Sequence, residues 1–167
     1  TGATIQRGTG TIDRLAVDPT STWNVRNDSA LGTLDNAGTV AFVAPSGNRG
    51  FKTLTVNNYA GGGTLVLNTQ LGDDTSGTDR LVIDGGTTSG NTSLRILNAG
   101  GSGDHTQTGI RVVQTVNGGT TTADAFHLDA GSTGYRASAD TLALNGYEYS
   151  LAPVSYTHLR AHETPEH

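Results

Sequence analysis

The feature that most constrains this chain is a short unit, an apolar strand closed by Asn or Asp and then by glycine. It is clearest at 81–86, Leu-Val-Ile-Asp-Gly-Gly, and at 94–101, Leu-Arg-Ile-Leu-Asn-Ala-Gly-Gly. Because side chains alternate along a strand, the outer residues of each apolar triplet share one buried face, and Arg95 faces solvent. The closing Asn, Asp and Gly residues tolerate positive φ, so each strand is predicted to end in a sharp corner.

The closing Asn and Asp residues recur along the chain at irregular intervals. They fall at Asn36, Asn57, Asn68, Asp84, Asn98 and Asn117. A loose period is typical of a solenoid, in which the corners vary in length while the strands continue to stack. The pattern therefore predicts short strands stacked coil upon coil.

Composition indicates an all-β chain. Met is absent, Lys52 is the only lysine, and the three glutamates (Glu148, Glu163 and Glu166) all lie near the C-terminal end. Since Glu, Lys and Met are strong helix formers, helices of any length are not expected before residue 148. Thr, Val and Ile favour strands. Charged residues make up 15% of the chain and the net charge is -5, which argues against disorder.

The same composition argues against several classes of function. The arginines are scattered singly, so no clustered basic face for nucleic acid is expected. No apolar run approaches the ~20 residues that a membrane-spanning helix requires. Cysteine is absent, which excludes disulfides and thiolate metal sites.

Few residues are candidates for chemistry. Asp73, Asp74 and Asp79 form the densest acidic group, in a Gly/Ser/Thr loop predicted to be solvated; catalysis and weak calcium binding remain alternatives. His105 and His127 have a spacing that would let them stack on adjacent coils and share a metal, but two ligands make a poor site. We predict no catalytic, cofactor or metal residue.

Several ordered motifs are similar to those of one family. They are 21–25 (Ser-Thr-Trp-Asn-Val), 31–34 (Leu-Gly-Thr-Leu), 38–42 (Gly-Thr-Val-Ala-Phe), 51–58 (Phe-Lys-Thr-Leu-Thr-Val-Asn-Asn), 79–86 and 146–149 (Gly-Tyr-Glu-Tyr). This series resembles the C-terminal part of autotransporter passenger domains, the Gram-negative surface proteins exported by type V secretion. The matching region is that family's autochaperone or pertactin-like segment. The resemblance implies a right-handed parallel β-helix at the cell surface, associated with the outer membrane through a C-terminal β-barrel absent from this chain.

The resemblance also suggests a division of the chain. Residues 1–20 are expected to be a partial upstream coil, and 21–151 the β-helix coils with an autochaperone-like C-terminal part. Residues 152–167 are expected to be a non-native or disordered tail. From Ser155 the sequence lacks glycine and is rich in His and Glu, and it looks like a translated sequencing adapter or vector read-through. The chain is therefore expected to be a fragment.

We expect a non-enzymatic structural segment that nucleates β-helix folding and supports outer-membrane translocation. The residues expected to form its ladder and folding nucleus are Leu81, Ile83, Leu94, Ile96, Ile110 and Val112, with Tyr147 and Tyr149 closing the last coil. Within this ladder, Ile96 is expected to lie beside Ile83 on one side and Val112 on the other. One alternative is an adhesin surface, in which exposed Thr/Asn/Gly loops bind host or bacterial surface glycans. Trp23 is expected to pack inside the coil or cap a corner, and stacking on a carbohydrate is its alternative role. A weaker alternative is a polysaccharide-active β-helix enzyme with an acidic cleft formed by Asp74, Asp79 or Asp84.

Overall fold

The described chain consists of strands and turns. A computed structural model describes residues 12–46, 50–153 and 157–163. Within these ranges it has fifteen strands and no helix, so none of them forms a helix that could cross a membrane. The all-β prediction is confirmed. Residues 1–11 of the expected partial upstream coil lie outside the described residues.

The strands lie in two sheets. They are β1 (Ile12–Val17), β2 (Thr22–Val25), β3 (Ser29–Asn36), β4 (Thr39–Phe42), β5 (Thr53–Gly61), β6 (Thr64–Thr69), β7 (Arg80–Asp84), β8 (Thr88–Gly90), β9 (Thr92–Asn98), β10 (Ile110–Val116), β11 (Phe126–Leu128), β12 (Tyr135–Arg136), β13 (Thr141–Leu144), β14 (Tyr147–Pro153) and β15 (Thr157–Glu163). From β1 to β11 the strands alternate between the two sheets, except that β8 joins the same sheet as β7. In the first sheet β1, β3, β5, β7 and β10 are parallel neighbours; in the second, β2, β4, β6, β9 and β11 are. Each coil thus adds one long strand to each sheet, which is the arrangement of a parallel β-helix.

Apolar side chains stack in register inside the coils. One row in the second sheet passes through Trp23, Val40, Leu65, Leu94 and Leu128, one residue from each of five strands. All five are buried in the core. The alternation of apolar and polar residues sets this row, because a strand that exposed it would place Thr and Asn inside. Trp23 is 7% exposed, so its ring packs within the coil, as expected, and does not present a surface to a sugar.

The predicted neighbours of Ile96 were wrong. Ile96 was expected to lie between Ile83 and Val112, but its register partner is Leu67. Ile83 lies in the other sheet, where it pairs with Val56 and Thr115. The reason is that the chain from 83 to 96 turns a corner within one coil, whereas a full coil separates Leu67 from Ile96.

Strands β12 to β15 form an antiparallel cap. They extend the first sheet beyond β10 in the order β15-β14-β13-β12. Leu142, Tyr149 and Leu159 of the cap are fully buried. The outermost strand, β12, has two residues, and its Arg136 is ion-paired to Glu148. A short charged edge of this kind resists further strand pairing.

The cap includes part of the segment expected to be a tail. Residues 157–163 form β15, which pairs with both β10 and β14. Residues 157–163 are therefore paired on both sides of the strand. The non-native origin of 152–167 and the division of the chain at residues 20 and 151 stay predictions.

Candidate functional site

The predicted ladder residues lie in the interior. Leu81, Ile83, Leu94, Ile96, Ile110, Val112 and Tyr149 are each at most 1% exposed, and Tyr147 packs against the same core while half-buried. They belong to both sheets and to the cap, so they form parallel rows and not a single column. Their role as a folding nucleus stays a prediction.

Tyr149 ties the cap to two loops. Its hydroxyl donates to the main-chain oxygen of Gly72 (2.9 Å) and accepts from the main-chain N–H of Asp104 (3.2 Å). Burial raises the pKa of Tyr149, and the bond to Asp104 offsets part of that effect. Beside it, the Tyr147 ring meets the His105 ring edge-on, with centroids 5.3 Å apart. The two tyrosines thus join the loops after β6 and β9 to strand β14 of the cap.

A buried polar chain links three coils. The Tyr59 hydroxyl lies 3.1 Å from both the Asn36 amide nitrogen and the Thr92 hydroxyl, which is 3.0 Å from the Gly61 carbonyl oxygen. Since that carbonyl can only accept, Thr92 donates to it, and Tyr59 then donates to Thr92. The Asn36 amide also donates to Thr64 O (3.0 Å). Burial raises the pKa of Tyr59, which keeps the donating phenol neutral.

Asp79 holds a corner together from inside. Its carboxyl group is fully buried and accepts the main-chain N–H of Lys52 (2.9 Å), the main-chain N–H of Asn68 (2.8 Å) and the Asn68 side-chain amide (2.8 Å). The Lys52 ammonium donates to the carbonyl oxygens of Val43 (2.7 Å) and Gly50 (3.0 Å). The prediction that Asp79 lies in a solvated loop was wrong, because Asp79 pairs with main-chain donors of two neighbouring segments.

The other acidic candidates, Asp73, Asp74 and Asp84, accept hydrogen bonds at different corners of the fold. Asp74 accepts the main-chain N–H groups of 107–109 at 2.9–3.2 Å. Burial raises the pKa of Asp74, but these hydrogen bonds outweigh it and the net pKa lies below its usual value. Asp73 is exposed and bonded to Thr75, and Asp84 accepts from the Asn117 amide (2.7 Å). The structure therefore places the proposed cleft residues in separate hydrogen-bond networks.

The two histidines do not stack. His127 pairs in register with Ser93, and its Nε2 atom lies 2.9 Å from the Ser93 hydroxyl, whereas His105 packs on Tyr147 in the cap. The expectation of adjacent positions was wrong because successive coils differ in length. Across the described ranges, no three His, Cys, Asp or Glu side chains are placed to hold a metal ion.

Two features bring the corners of neighbouring coils together, a glycine triplet at 61–63 and the short strand β8. A Cβ atom at Gly61 would overlap the Asn36 carbonyl oxygen and one at Gly63 would overlap that of Gly38, whereas Gly62 between them faces open space. Strand β8 pairs with the end of β5 at residues 59–61, so β5 contacts two strands of the next coil. The glycine triplet in the sequence indicates a tight corner. The Thr-Ser-Gly sequence of β8 does not indicate a strand, because it has the composition of a linker.

These features define a class of protein, a parallel β-helix closed at one end by an antiparallel cap. The chain belongs to the type 1 autochaperone domain family, since the family model described as "Autochaperone Domain Type 1" matches residues 29–151. The match begins at the start of β3 and ends within β14. The resemblance to the autochaperone segment of an autotransporter passenger domain is confirmed.

Curated relatives agree with this assignment. "Probable autotransporter YfaL" of Escherichia coli (strain K12) is 37% identical over 100 residues, which is 59% of this chain and 7% of that protein. "Adhesin BmaC autotransporter" of Brucella suis is 47% identical over 81 residues, 47% of this chain and 2% of that protein. "BrkA autotransporter" of Bordetella pertussis is 29% identical over 159 residues, 95% and 14% respectively. The chain thus spans a small part of these relatives.

Proposed function

We propose that this chain is a non-enzymatic segment of a surface passenger that nucleates β-helix folding and supports outer-membrane translocation. The observation that carries the proposal is the in-register interior stack that runs from β2 to β11 and meets a closed cap. The family supplies the context: its full-length members are expected to carry a C-terminal outer-membrane β-barrel, which would be the partner of this segment at the cell surface.

The two ends of the described stack differ, and this gives growth a direction. At one end β12 to β15 cover the core, with Leu142 and Leu159 fully buried. At the other end β1 and β2 are the last described strands of their sheets, and Val17, Trp23 and Val25 continue the buried rows up to that edge. A coil that arrives on the N-terminal side can pair with these strands, whereas at the other end β15 already occupies the edge of β10 in the first sheet.

The energetics favour templating over independent folding. A first coil loses conformational entropy on closing its corners before it gains any contact with a neighbouring coil. Each later coil docks on a surface that is already formed. Burial of each large aliphatic side chain contributes roughly 1.5–3 kcal/mol. A capped stack that folds first would therefore lower the barrier for upstream coils, and folding outside the cell would bias the chain outward.

The carboxyl groups support the non-enzymatic part of the proposal. A general acid and base must face one reacting group at a suitable separation. Asp74, Asp79 and Asp84 instead accept hydrogen bonds from three different segments of the fold.

Adhesion is a second candidate function. One relative is named an adhesin. On this chain Thr22, Thr39, Thr64 and Ser93 form an in-register row on the outer face of the second sheet, where they are partly exposed. Glycan-array binding by the whole chain, lost when Thr39 and Thr64 are both changed to Val, would support this candidate.

Surface display tests the folding proposal. In the full-length protein with its barrel, Ile96→Asp should remove most of the protease-accessible passenger from the cell surface, because a carboxylate would replace a fully buried side chain in the stack. The matched control is Arg95→Ala, one residue away on the outer face, which should display normally. Normal display of Ile96→Asp would refute the proposal, as would loss of a measurable enzymatic activity in Asp74→Ala or Asp84→Ala with display intact.

A further inference from the structure

Lys52, the only lysine of the chain, lies almost entirely inside the fold. It is 4% exposed, and its ammonium group donates to the main-chain oxygens of Val43 (2.7 Å) and Gly50 (3.0 Å). Within the described ranges this ammonium forms no ion pair with a carboxylate. Such a burial is unfavourable, because the charge has left water and has gained only neutral acceptors. A reaction that removed the charge would therefore stabilise the folded chain.

Asn68 lies at the same corner, and its side-chain amide is held in one orientation. The amide nitrogen donates to the main-chain oxygen of Phe42 (3.0 Å) and to the Asp79 carboxyl group (2.8 Å), which accounts for both of its protons. Phe42 and Val43 are consecutive residues. The Lys52 ammonium and the Asn68 amide are thus bonded to the carbonyl oxygens of neighbouring peptide units. The two side chains therefore end at the same corner of the coil.

Asp79 connects these two residues. One of its carboxyl oxygens accepts the main-chain N–H of Lys52 (2.9 Å), and the other accepts the Asn68 amide (2.8 Å). Asp79 is fully buried and Asn68 is 4% exposed, so water is largely excluded. A carboxyl group in contact with a reacting amide can move a proton to or from it. The corner thus holds an amine, an amide carbon that can be attacked and an acid–base group.

We propose that Lys52, Asn68 and Asp79, here called the corner cluster, form an autocatalytic isopeptide cross-link between the side chains of Lys52 and Asn68. The Lys52 side chain turns from its carbonyl acceptors, and the Nζ lone pair attacks Asn68 Cγ. The Nζ–Cγ bond forms, and the Cγ–Nδ2 bond breaks. Nζ loses two protons in all, and both end on the departing nitrogen, which leaves as an ammonium ion. Asp79 passes a proton to that nitrogen through its existing contact and is regenerated.

The cross-link closes a covalent ring over residues 52–68. The ring contains the whole of β5 and nearly all of β6. A ring of this kind restricts the unfolded chain, as a disulfide does, and this chain has no cysteine with which to form a disulfide. The new amide also replaces a buried positive charge by a neutral group. The proposal goes beyond the folding role, because it concerns a covalent modification that follows folding.

Mass spectrometry of the wild-type chain tests the cross-link directly. The intact chain should be lighter than its sequence mass by one molecule of ammonia. Trypsin does not cleave after an acylated lysine, so residues 50–80 should remain one peptide, whereas an unmodified chain gives 50–52 and 53–80. Fragmentation of that peptide should give no separated backbone fragments from inside the ring. The full sequence mass, with cleavage after Lys52, overturns the proposal.

Two other mass results would also refute the assignment. Loss of ammonia with normal cleavage after Lys52 would mean that an asparagine had cyclised on its own. Loss of water in place of ammonia would mean that a carboxyl group, and not the Asn68 amide, had been attacked. The matched controls are Lys52→Arg, which keeps the charge but offers no amine, and Asn68→Ala, and both should keep their full sequence mass. These masses are read on denatured chains, so the wild-type result decides even if a variant does not fold.

Discussion

Replacement of Asp79 is the sharpest test of the corner architecture. The carboxyl group is fully buried and accepts three N–H groups, two of them from the main chain at Lys52 and Asn68. Asp79→Ala leaves both main-chain donors without this acceptor, and at about 1–3 kcal/mol for each buried unpaired group the loss is about 2–6 kcal/mol. The Asn68 side-chain amide retains the Phe42 carbonyl oxygen (3.0 Å) and adds less. In a domain of this size such a loss corresponds to a fall of roughly 4–24 °C in Tm.

Urea unfolding followed by circular dichroism measures this loss, and two further variants sharpen it. Asp79→Asn keeps the volume but turns a donor toward a donor, so it should also destabilise the chain. Asp73→Ala, in the same loop but exposed, should stay within about 0.5 kcal/mol of wild type. If Asp79→Ala unfolded at the same urea concentration as Asp73→Ala, the corner network would not contribute as the geometry requires.

Three further variants test the close approach of coils, the cap and an ion pair. Gly61→Ala should lower Tm strongly, because a Cβ atom would overlap a main-chain oxygen of the preceding coil, whereas Gly62→Ala, which faces open space, should not; similar Tm values would contradict this. Tyr149→Phe should cost about 1–2 kcal/mol in urea unfolding, since the hydroxyl joins two loops to the cap. Burial raises the pKa of Asp129, but its bond to Arg95 and further contacts hold the net pKa below the usual 3.8. The stabilisation that the ionised Asp129 carboxylate gives to the folded chain is therefore fully present above pH 3.8. It is lost as the pH falls through the folded-state pKa of Asp129. Asp129→Asn should flatten the stability profile there, and an unchanged profile would count against this ion pair.

The strands and the buried faces were predictable from the sequence, and the neighbours across coils were not. The alternation of apolar and polar residues places Leu94 and Ile96 on the inner face of their strand, whichever residues are their neighbours, and both are fully buried. Which residue lies beside them depends on coil length, and the coils vary: Val40 pairs with Leu65, Leu65 with Leu94, and Leu94 with Leu128. A sequence without a strict period cannot fix such pairs, because each corner absorbs a different number of residues.

Polar residues at the corners were the main source of error. A Gly/Ser/Thr loop normally indicates solvent exposure, yet Asp79 at the end of such a loop is buried by main-chain donors that local sequence does not reveal. The terminal segment raised the same difficulty. Its composition led to the expectation of a non-native or disordered tail, which stays untested, and it did not reveal that Leu159 is fully buried between β10 and β14. Deletion of 155–167 is therefore expected to lower Tm.

The order in which the coils fold tests the central claim most directly. Refolding of the chain from urea is interrupted by pulses of hydrogen exchange, and amide protection is read for each strand by mass spectrometry or NMR. The account predicts that amides of β7, β9 and β10 gain protection before those of β1 and β2, because the capped end forms the template. Protection of β1 and β2 first, or of all five strands in a single step, would contradict nucleation from the capped end.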